Sequence, residues 1–169
     1  MTGPAEWVDV VDEEDRVVGR VSREEMRRRK LRHRAVYVFV FRPEGTVFVH
    51  RRTSTKDIYP GCYDVAVGGV VSSGESYDEA ARRELAEELG VSGAELEPLF
   101  PFRYSDELGA VNGMVYRCAW AGPVRLQEAE IEWGGWLRPE EVEALARRAR
   151  FCPDSLHAWL EFRARAKGS

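Results

Sequence analysis

The chain has 169 residues, of which 44% are hydrophobic and 32% charged, and it carries a formal net charge of −4. These values are typical of a single globular domain that can bury a substantial core. The sequence contains no apolar run of about 18 residues, which excludes a predicted membrane-spanning helix. Its start predicts no secretion signal, and three cysteines without metal-ligand spacing favour reduced thiols in the cytoplasm.

The N-terminal segment predicts a β-hairpin followed by a short helix. Strands are expected over Trp7–Val11 and Val17–Val21, on either side of a polar turn. Ser22 and Glu25 form a capping-box pattern, which predicts a helix that runs to about Leu31.

Basic residues crowd the same region, from Arg16 to Arg34. A nucleic-acid patch and a solvated helix face are the two interpretations. Because arginine is the prevailing base of the whole chain, we favour the solvated face and expect no nucleic-acid partner.

Two strongly apolar strands, Ala35–Phe41 and Thr46–His50, are predicted to form a hairpin around a short turn. Such unbroken apolar runs are typical of central strands in a sheet that is covered on both faces. A further strand is expected over Tyr63–Val67.

The second half predicts a helix that begins after Ser76, in a capping box with Glu79, and ends at Gly90. Strands are expected near 99–103, 113–120 and 131–137, with helices over 139 to about 150 and 153 to about 165. With no repeat or long linker, the pattern predicts one α/β domain.

The helix after Ser76 carries acids at spacings of three and four, which places their side chains on one face. These acids are Glu84, Glu87 and Glu88. Their carboxylates suit Mg²⁺ or Mn²⁺, which commonly bridge to substrate phosphates. Arg83 is placed to orient a carboxylate, and the glycines at 68 and 69 allow close backbone approach. A solvated amphipathic helix is the alternative for the acids alone.

Nine constrained positions across this segment resemble the Nudix box; they are Gly69, Glu75, Arg83, Glu84, Leu85, Glu87, Glu88, Gly90 and Val91. The resemblance implies the Nudix fold, a mixed β-sheet sandwiched between helices in an α/β/α arrangement. It also implies magnesium-dependent hydrolysis of a diphosphate linkage in a nucleoside diphosphate-X substrate, with a nucleoside di- or triphosphate favoured. Glu84, Glu87 and Glu88 then supply metal carboxylates, Gly69 a carbonyl ligand, and Glu75 with Arg83 braces the helix. Glu84 or a neighbour becomes the candidate base.

The outline of the chain also resembles the isopentenyl-diphosphate isomerase branch of this family, from the first hairpin through 33–35 to 151–153. In that branch the stretch at 51–61 binds diphosphate, so Arg52 and Lys56 are predicted to bind phosphate oxygens rather than to be ordinary loop bases. Isomerase chemistry is not supported, because Gly68 stands where that branch has its catalytic cysteine and Val70 where it has a metal-binding histidine. Residues 112–114 likewise lack its acids.

Two isomerase metal positions, His33 and Glu130, are retained in this chain. We interpret His33 as structural. Glu130 is predicted as an additional metal ligand or base, with a charged strand edge as the alternative. The nearby aromatic residues could stack on a nucleobase, although strand spacing favours the core; they are Phe102, Tyr104, Trp133 and Trp136.

We therefore expect one Nudix hydrolase domain over 1–169, with 1–31 as the hairpin and short helix and 32–169 as the core with the C-terminal helices. The expected ligands are Mg²⁺, or Mn²⁺, and a small nucleotide or other diphosphate metabolite. Isopentenyl-diphosphate isomerase and a non-catalytic nucleotide-sensing module are the alternatives. Family members are often homodimers, and the residues leave the oligomeric state open.

Overall fold

The computed structural model describes residues 6–168. The prediction that the chain starts without a secretion signal concerns its first residues, and residues 1–5 lie outside the described range. Its strands are β1 Trp7–Val11, β2 Val17–Ser22, β3 His33–Phe41, β4 Val47–Arg52, β5 Tyr63–Asp64, β6 Val67–Val70, β7 Glu97–Asp106, β8 Gly109–Ala119 and β9 Ile131–Leu137. Its helices are α1 Arg23–Arg29, α2 Tyr77–Leu89, α3 Pro139–Ala146 and α4 Pro153–Lys167.

Within residues 6–168, strand β3 is the centre of a nine-stranded mixed sheet. It pairs in parallel with β8 from His33↔Val111 to Phe41↔Ala119, and antiparallel with β6. Parallel and antiparallel partners in one sheet give the mixed sheet that the Nudix resemblance implies.

The two faces of β3 contribute to two separate cores, as its unbroken apolar sequence predicts. Tyr37 and Phe39 face a core that contains Val142 of α3 and Trp159 of α4. Val36, Val38 and Val40 face the other core, which contains an apolar stripe of α2, namely Ala81, Leu85 and Leu89. The sheet is therefore sandwiched between helices, and the predicted fold is confirmed.

The predicted hairpin of β3 and β4 is wrong beyond its turn. The two strands share the single pair Phe41↔Val47 and then diverge. β4 continues antiparallel to β5 and β9, while β3 continues beside β6 and β8. Each strand is buried on both faces, so each needs its own hydrogen-bonding partners along both edges.

The strand predicted over Tyr63–Val67 is divided between these two groups. β5 pairs with β4, whereas β6 pairs with β3, so the chain crosses from one to the other at residues 65 and 66. The crossing brings Gly68 and Gly69 of β6 beside α2.

Helix α3 ends at Ala146, earlier than the predicted residue 150. The chain leaves the helix because the backbone of Arg150 accepts a hydrogen bond from Tyr63 N–H at 2.9 Å, and Phe151 forms a bridge to the same strand. No helix within residues 6–168 is both long and apolar enough to cross a membrane.

Candidate active site

The start of α2 is fixed by its caps. Ser76 accepts a hydrogen bond from Glu79 N–H at 3.1 Å, and the Glu79 carboxylate accepts one from Ser76 N–H at 3.0 Å. Gly90 ends the helix in the left-handed region, with φ of 65°. The predicted capping box and C-cap are therefore present, and they hold the acidic face of α2 in a defined position.

Arg83 connects this helix to the strand and loop before it, and all five of its N–H groups are used. Nε and Nη2 donate to the Glu75 carboxylate at 2.8 and 2.9 Å, and Nη2 also donates to the Val70 carbonyl at 3.1 Å. Nη1 donates to Glu84 at 2.9 Å and to Glu87 at 3.3 Å. These contacts are those of the predicted brace.

Two carboxyl groups of α2 are held away from water. Burial raises the pKa of Glu84 to about 7, against the opposing charge of Arg83. Burial and the charge of Glu84 raise the pKa of Glu88 well above its ordinary range, and Glu88 accepts a hydrogen bond from Gly68 N–H at 3.2 Å. A divalent cation would stabilise the ionised form of both groups.

The predicted metal ligands all line one cleft between β6, α2 and the segment before β9; they are Gly69, Glu84, Glu87, Glu88 and Glu130. The side chain of Glu130 is bonded to Lys56 Nζ. Among the residues described, no group of three or more His, Cys, Asp or Glu side chains is drawn together tightly enough to hold an ion. The donor set is nonetheless oxygen-only and fits Mg²⁺ or Mn²⁺. Such an ion would compete with Lys56 and Arg83 for the carboxylates.

The two predicted phosphate contacts are engaged within the protein. Arg52 donates from Nε and Nη2 to the carbonyl of Ile58 at 3.2 and 3.0 Å, and its Nη1 lies 3.9 Å from the Asp64 carboxylate. Arg52 thus holds the loop 53–61, and Lys56 anchors the same loop to Glu130. Both side chains line a second cavity that adjoins the acidic cleft.

The acidic cleft and this second cavity adjoin, because five residues line both of them. The shared residues are Arg23, Lys56, Gly68, Gly69 and Val70. Of the predicted metal ligands, Gly69 lines both spaces, whereas the four carboxylates line the acidic cleft alone.

Two basic residues of α1 that the sequence analysis did not predict as phosphate contacts also line the second cavity. Arg23 and Arg27 are one helical turn apart and both contact the Asp57 carboxylate, at 3.5 and 3.3 Å. The solvated-face interpretation holds for Arg28 and Arg29, which are exposed, but not for Arg27, whose side chain is 21% exposed. The i, i+4 spacing of Arg23 and Arg27 could have indicated that their side chains share one face of α1.

The two metal positions predicted from the isomerase resemblance, His33 and Glu130, line different spaces. His33 is 3% exposed and lines the second cavity, whereas Glu130 lines the acidic cleft. Burial lowers the pKa of His33 to about 4, so the ring is neutral near pH 7 and Nδ1–H donates to the Leu31 carbonyl at 2.9 Å. Asn112, which is one of the residues that stand where that branch has acids, donates a hydrogen bond from Nδ2 to the Asp15 carboxylate at 3.0 Å.

The aromatic candidates divide between core and surface. Phe102 is buried in one core, and Trp136 packs against the other. Tyr104 lines the second cavity, while Trp133 is 43% exposed and stands edge-on to Tyr63. Only Tyr104 of these four lines the described cavity beside the acidic cleft.

Comparison with known proteins identifies close relatives. The model of the NUDIX domain family matches residues 31–160. An uncharacterised Nudix hydrolase of Streptomyces coelicolor is 48% identical over 166 residues, covering 97% of this chain and 92% of that protein. The uncharacterised Nudix hydrolase YfcD of Escherichia coli K12 is 46% identical over 153 residues, covering 90% of this chain and 84% of its own length.

Solved structures agree with the fold. The crystal structure of DR0079 from Deinococcus radiodurans has a TM-score of 0.79 and 32% identity, covering 92% of this chain and 98% of that one. The NUDIX domain of Shewanella oneidensis NrtR, solved in complex with ADP ribose, has a TM-score of 0.63 and 19% identity, covering 78% of this chain and 86% of that one.

Proposed function

We propose, from the premise that the chain belongs to the Nudix family and is a Nudix hydrolase, that it cleaves a diphosphate linkage in a nucleoside diphosphate-X substrate. A nucleoside di- or triphosphate is the favoured substrate. The observation that carries this proposal is that Gly68, Gly69 and Lys56 line both the acidic cleft and the adjoining cavity, which is itself lined by cationic side chains. The predicted phosphate contact Lys56 is bonded to the predicted metal ligand Glu130, so the two sets of residues meet there.

Nudix hydrolases generally use divalent metal ions, and here Gly69, Glu84, Glu87, Glu88 and Glu130 would hold Mg²⁺ or Mn²⁺. A bound ion of this kind neutralises phosphate charge and lowers the pKa of a coordinated water. Glu84 is the candidate base: its carboxylate lines the cleft, is oriented by a hydrogen bond from Arg83 at 2.9 Å, and would accept the proton of the attacking water.

Four cations of the second cavity would bind the phosphate oxygens; they are Arg23, Arg27, Arg52 and Lys56. Nε and Nη2 of Arg52 donate hydrogen bonds to the Ile58 carbonyl, so Nη1 is the group that would contact the substrate. Because Arg27 and Arg52 are mostly buried, their charges are poorly screened and position the phosphates strongly.

The geometry disfavours isomerase chemistry. A Cβ atom at Gly68 would lie 1.9 Å from the backbone oxygen of Val36, so a cysteine cannot occupy this position without moving the strand. Nothing in the comparisons points to an isomerase. We propose that the chain shares the outline of that branch without its reaction.

A non-catalytic nucleotide-sensing module is the contrasting function. The complete box, with its carboxylates lining one cleft, favours catalysis. We further propose a cytoplasmic location, which the free and buried Cys62, Cys118 and Cys152 support.

The test is a screen for release of phosphate or nucleoside monophosphate, with Mg²⁺ or Mn²⁺, over nucleotides, dinucleotides, nucleotide sugars and coenzymes. We expect cleavage of at least one diphosphate linkage. Tight nucleotide binding with no product in any reaction would instead identify a sensing module. Isopentenyl diphosphate is included because double-bond migration without phosphate release would overturn the proposal.

A further inference from the structure

Two arginines of α1 line the second cavity side by side. Arg23 and Arg27 are four residues apart, so their guanidinium groups share a helix face and repel each other. Burial lowers the pKa of Arg27 against the opposing charge of Asp57, and the charges of Arg23 and Arg52 add to this lowering. Arg27 therefore depends on a counterion to remain beside the cavity instead of turning toward solvent.

Asp57 of the loop 53–61 is this counterion. Its Oδ2 accepts hydrogen bonds from Nη2 of Arg23 at 3.5 Å and from Nε of Arg27 at 3.3 Å. Within residues 6–168, Asp57 is the only carboxylate that Arg27 contacts, whereas Arg23 also donates to Glu6 at 3.3 Å. One carboxylate oxygen thus holds both guanidinium groups.

Asp57 differs in position from the carboxylates beside the other two cations of the cavity. Asp64, next to Arg52, lines the second cavity itself. Glu130, which is bonded to Lys56, lines the acidic cleft. Asp57 is not among the residues that line either space. It therefore neutralises the two arginines from outside and leaves the cavity beside them open to an anion.

Both arginines keep N–H groups for such an anion. An arginine side chain has five N–H donors. Within residues 6–168, Arg27 makes a hydrogen bond through Nε alone, and Arg23 makes them through Nη1 and Nη2. The Nη1 and Nη2 groups of Arg27 and the Nε–H of Arg23 are therefore available to phosphate oxygens, which arginine binds through paired donors.

The backbone on both sides of Asp57 is held in place. This matters because an exposed ion pair stabilises little when two flexible side chains must first be ordered, and Asp57 is 44% exposed. Lys56 is bonded to Glu130, and the carbonyl of Ile58 accepts two hydrogen bonds from Arg52 at 3.2 and 3.0 Å. The carboxylate is thus placed by its neighbours before the arginines of α1 contact it.

We propose that Asp57 is a positioning residue for phosphate binding, which holds Arg23 and Arg27 with their remaining N–H groups at the second cavity. The inference rests on the proposed function, which assigns phosphate oxygens to these arginines. Asp57 acts through them and contacts neither the phosphate nor the metal.

Removing the charge of Asp57 has two opposed effects on phosphate affinity. Less repulsion of the anion would raise the affinity, while release of the arginines would lower it. Because Asp57 is partly exposed, solvent screens its repulsion of a phosphate in the cavity, so we expect the loss of positioning to be the larger effect. Affinity for an anion should then fall when a negative charge is removed.

The test measures the affinity of the full chain for imidodiphosphate, whose nitrogen bridge resists hydrolysis, by isothermal titration calorimetry with Mg²⁺ present. We expect Asp57→Asn to bind about five-fold or more weakly. Asp57→Glu keeps a carboxylate and should stay within about three-fold of the native affinity. The control is Glu24→Gln, which removes the same charge from an exposed residue of α1 that has no ion pair within residues 6–168. It should stay within about two-fold.

Two further measurements separate positioning from a general structural role. In an Arg27→Gln background, Asp57→Asn should weaken binding by no more than about two-fold, since one of the two arginines that it positions is already gone. Nuclear magnetic resonance of arginine-labelled protein reports the Nε–H of Arg27 directly, without a ligand. We expect this proton to exchange with solvent more slowly than the Nε–H of the exposed Arg28, and to lose that protection in Asp57→Asn.

Unchanged or tighter imidodiphosphate binding in folded Asp57→Asn would overturn the proposal, as would equal losses in the native and Arg27→Gln backgrounds. If Asp57→Asn does not fold, the native protein decides, because an Arg27 Nε–H that exchanges as fast as that of Arg28 contradicts the proposal. Failure of the proposed function has a different signature. In that case the screen finds no cleaved linkage, while imidodiphosphate binding still depends on Asp57.

Discussion

Gly69 and Glu84 are so close that a Cβ atom on Gly69 would lie 2.7 Å from Oε1 of Glu84. The adjacent Gly68 faces backbone instead, since its Cβ would lie 1.9 Å from the oxygen of Val36. Neighbouring glycines thus have different reasons to lack a side chain. Gly69 leaves room for a carboxylate of the candidate active site, and Gly68 leaves room for the central strand.

The first prediction separates these two roles by alanine substitution. In Gly69→Ala, the flexible Glu84 carboxylate moves aside, so we expect the fold to persist and turnover to fall at least about ten-fold. In Gly68→Ala, the backbone of β3 cannot yield, so we expect a loss of about 3 kcal/mol or more in the free energy of unfolding. Chemical denaturation and turnover, measured on both variants, check the prediction. An active, native-like Gly68→Ala protein would contradict it.

The second prediction concerns the fork of Arg83. Arg83→Lys keeps the charge but cannot form the paired bonds of 2.8 and 2.9 Å to Glu75 while also reaching Val70 and Glu84. We expect the free energy of unfolding to drop by about 1–3 kcal/mol and turnover to fall with it.

Arg82→Lys is the matched control, because Arg82 is the neighbouring residue of α2 and is exposed. It should change the free energy of unfolding by no more than about 0.5 kcal/mol. Equal effects of the two substitutions in urea denaturation would show that the fork of Arg83 is not what joins α2 to β6.

The third prediction is that Glu88 holds a divalent cation. Glu88→Gln retains an oxygen for the N–H of Gly68, so the fold should survive, but the amide is a weaker ligand than a carboxylate. We expect Mn²⁺ affinity, measured by calorimetry or by electron paramagnetic resonance, to fall at least about ten-fold and activity to be mostly lost. Glu87→Gln should behave in the same direction.

Glu79→Gln is the control for this measurement. Glu79 lies on the same helix, and glutamine can replace glutamate in the capping box that it forms with Ser76. Its Mn²⁺ affinity should be native-like. If Glu79→Gln and Glu88→Gln weaken Mn²⁺ binding equally, the effect is one of overall charge and not of ligation.

Local sequence signals predicted the elements of this fold better than their pairing. The caps at Ser76 and Gly90 fix α2 because each is a contact within a few residues. The divergence of β3 from β4 was not predictable in this way, because it depends on β6 and β8, whose positions follow from the tertiary fold. Turn residues indicate that two strands are consecutive, but they do not specify every ladder that the strands then form.

The same distinction applies to the candidate site. Spacing alone predicted that Glu84, Glu87 and Glu88 share a helix face, and the structure places them along one cleft. That Arg27 and Asp154 line the second cavity could not be predicted, since α1 and α4 reach this cavity only through long-range packing. Basic residues on a helix face and acidic residues in a first helical turn are common on solvent-exposed helices. Their presence in the sequence therefore does not indicate a cavity until the neighbouring elements are known.

The last prediction concerns the pH dependence of stability, through His50 of β4. Burial lowers the pKa of His50 from its ordinary value of 6.5 to about 3, and its Nδ1 has no hydrogen-bond partner among the described residues. The unfolded chain therefore binds a proton below pH 6.5 that the folded chain excludes. Stability from this group is complete above pH 6.5 and is lost as the pH falls below it.

His50→Leu removes this difference in proton binding. Between pH 6 and pH 5 we expect the native protein to lose about 1.4 kcal/mol per pH unit more than the variant, as measured by urea denaturation at each pH. His33, whose pKa is lowered to about 4 by burial, acts in the same direction, so the variant should still lose some stability. Parallel pH profiles for the two proteins would show that His50 accepts a proton in the folded state as readily as in the unfolded one.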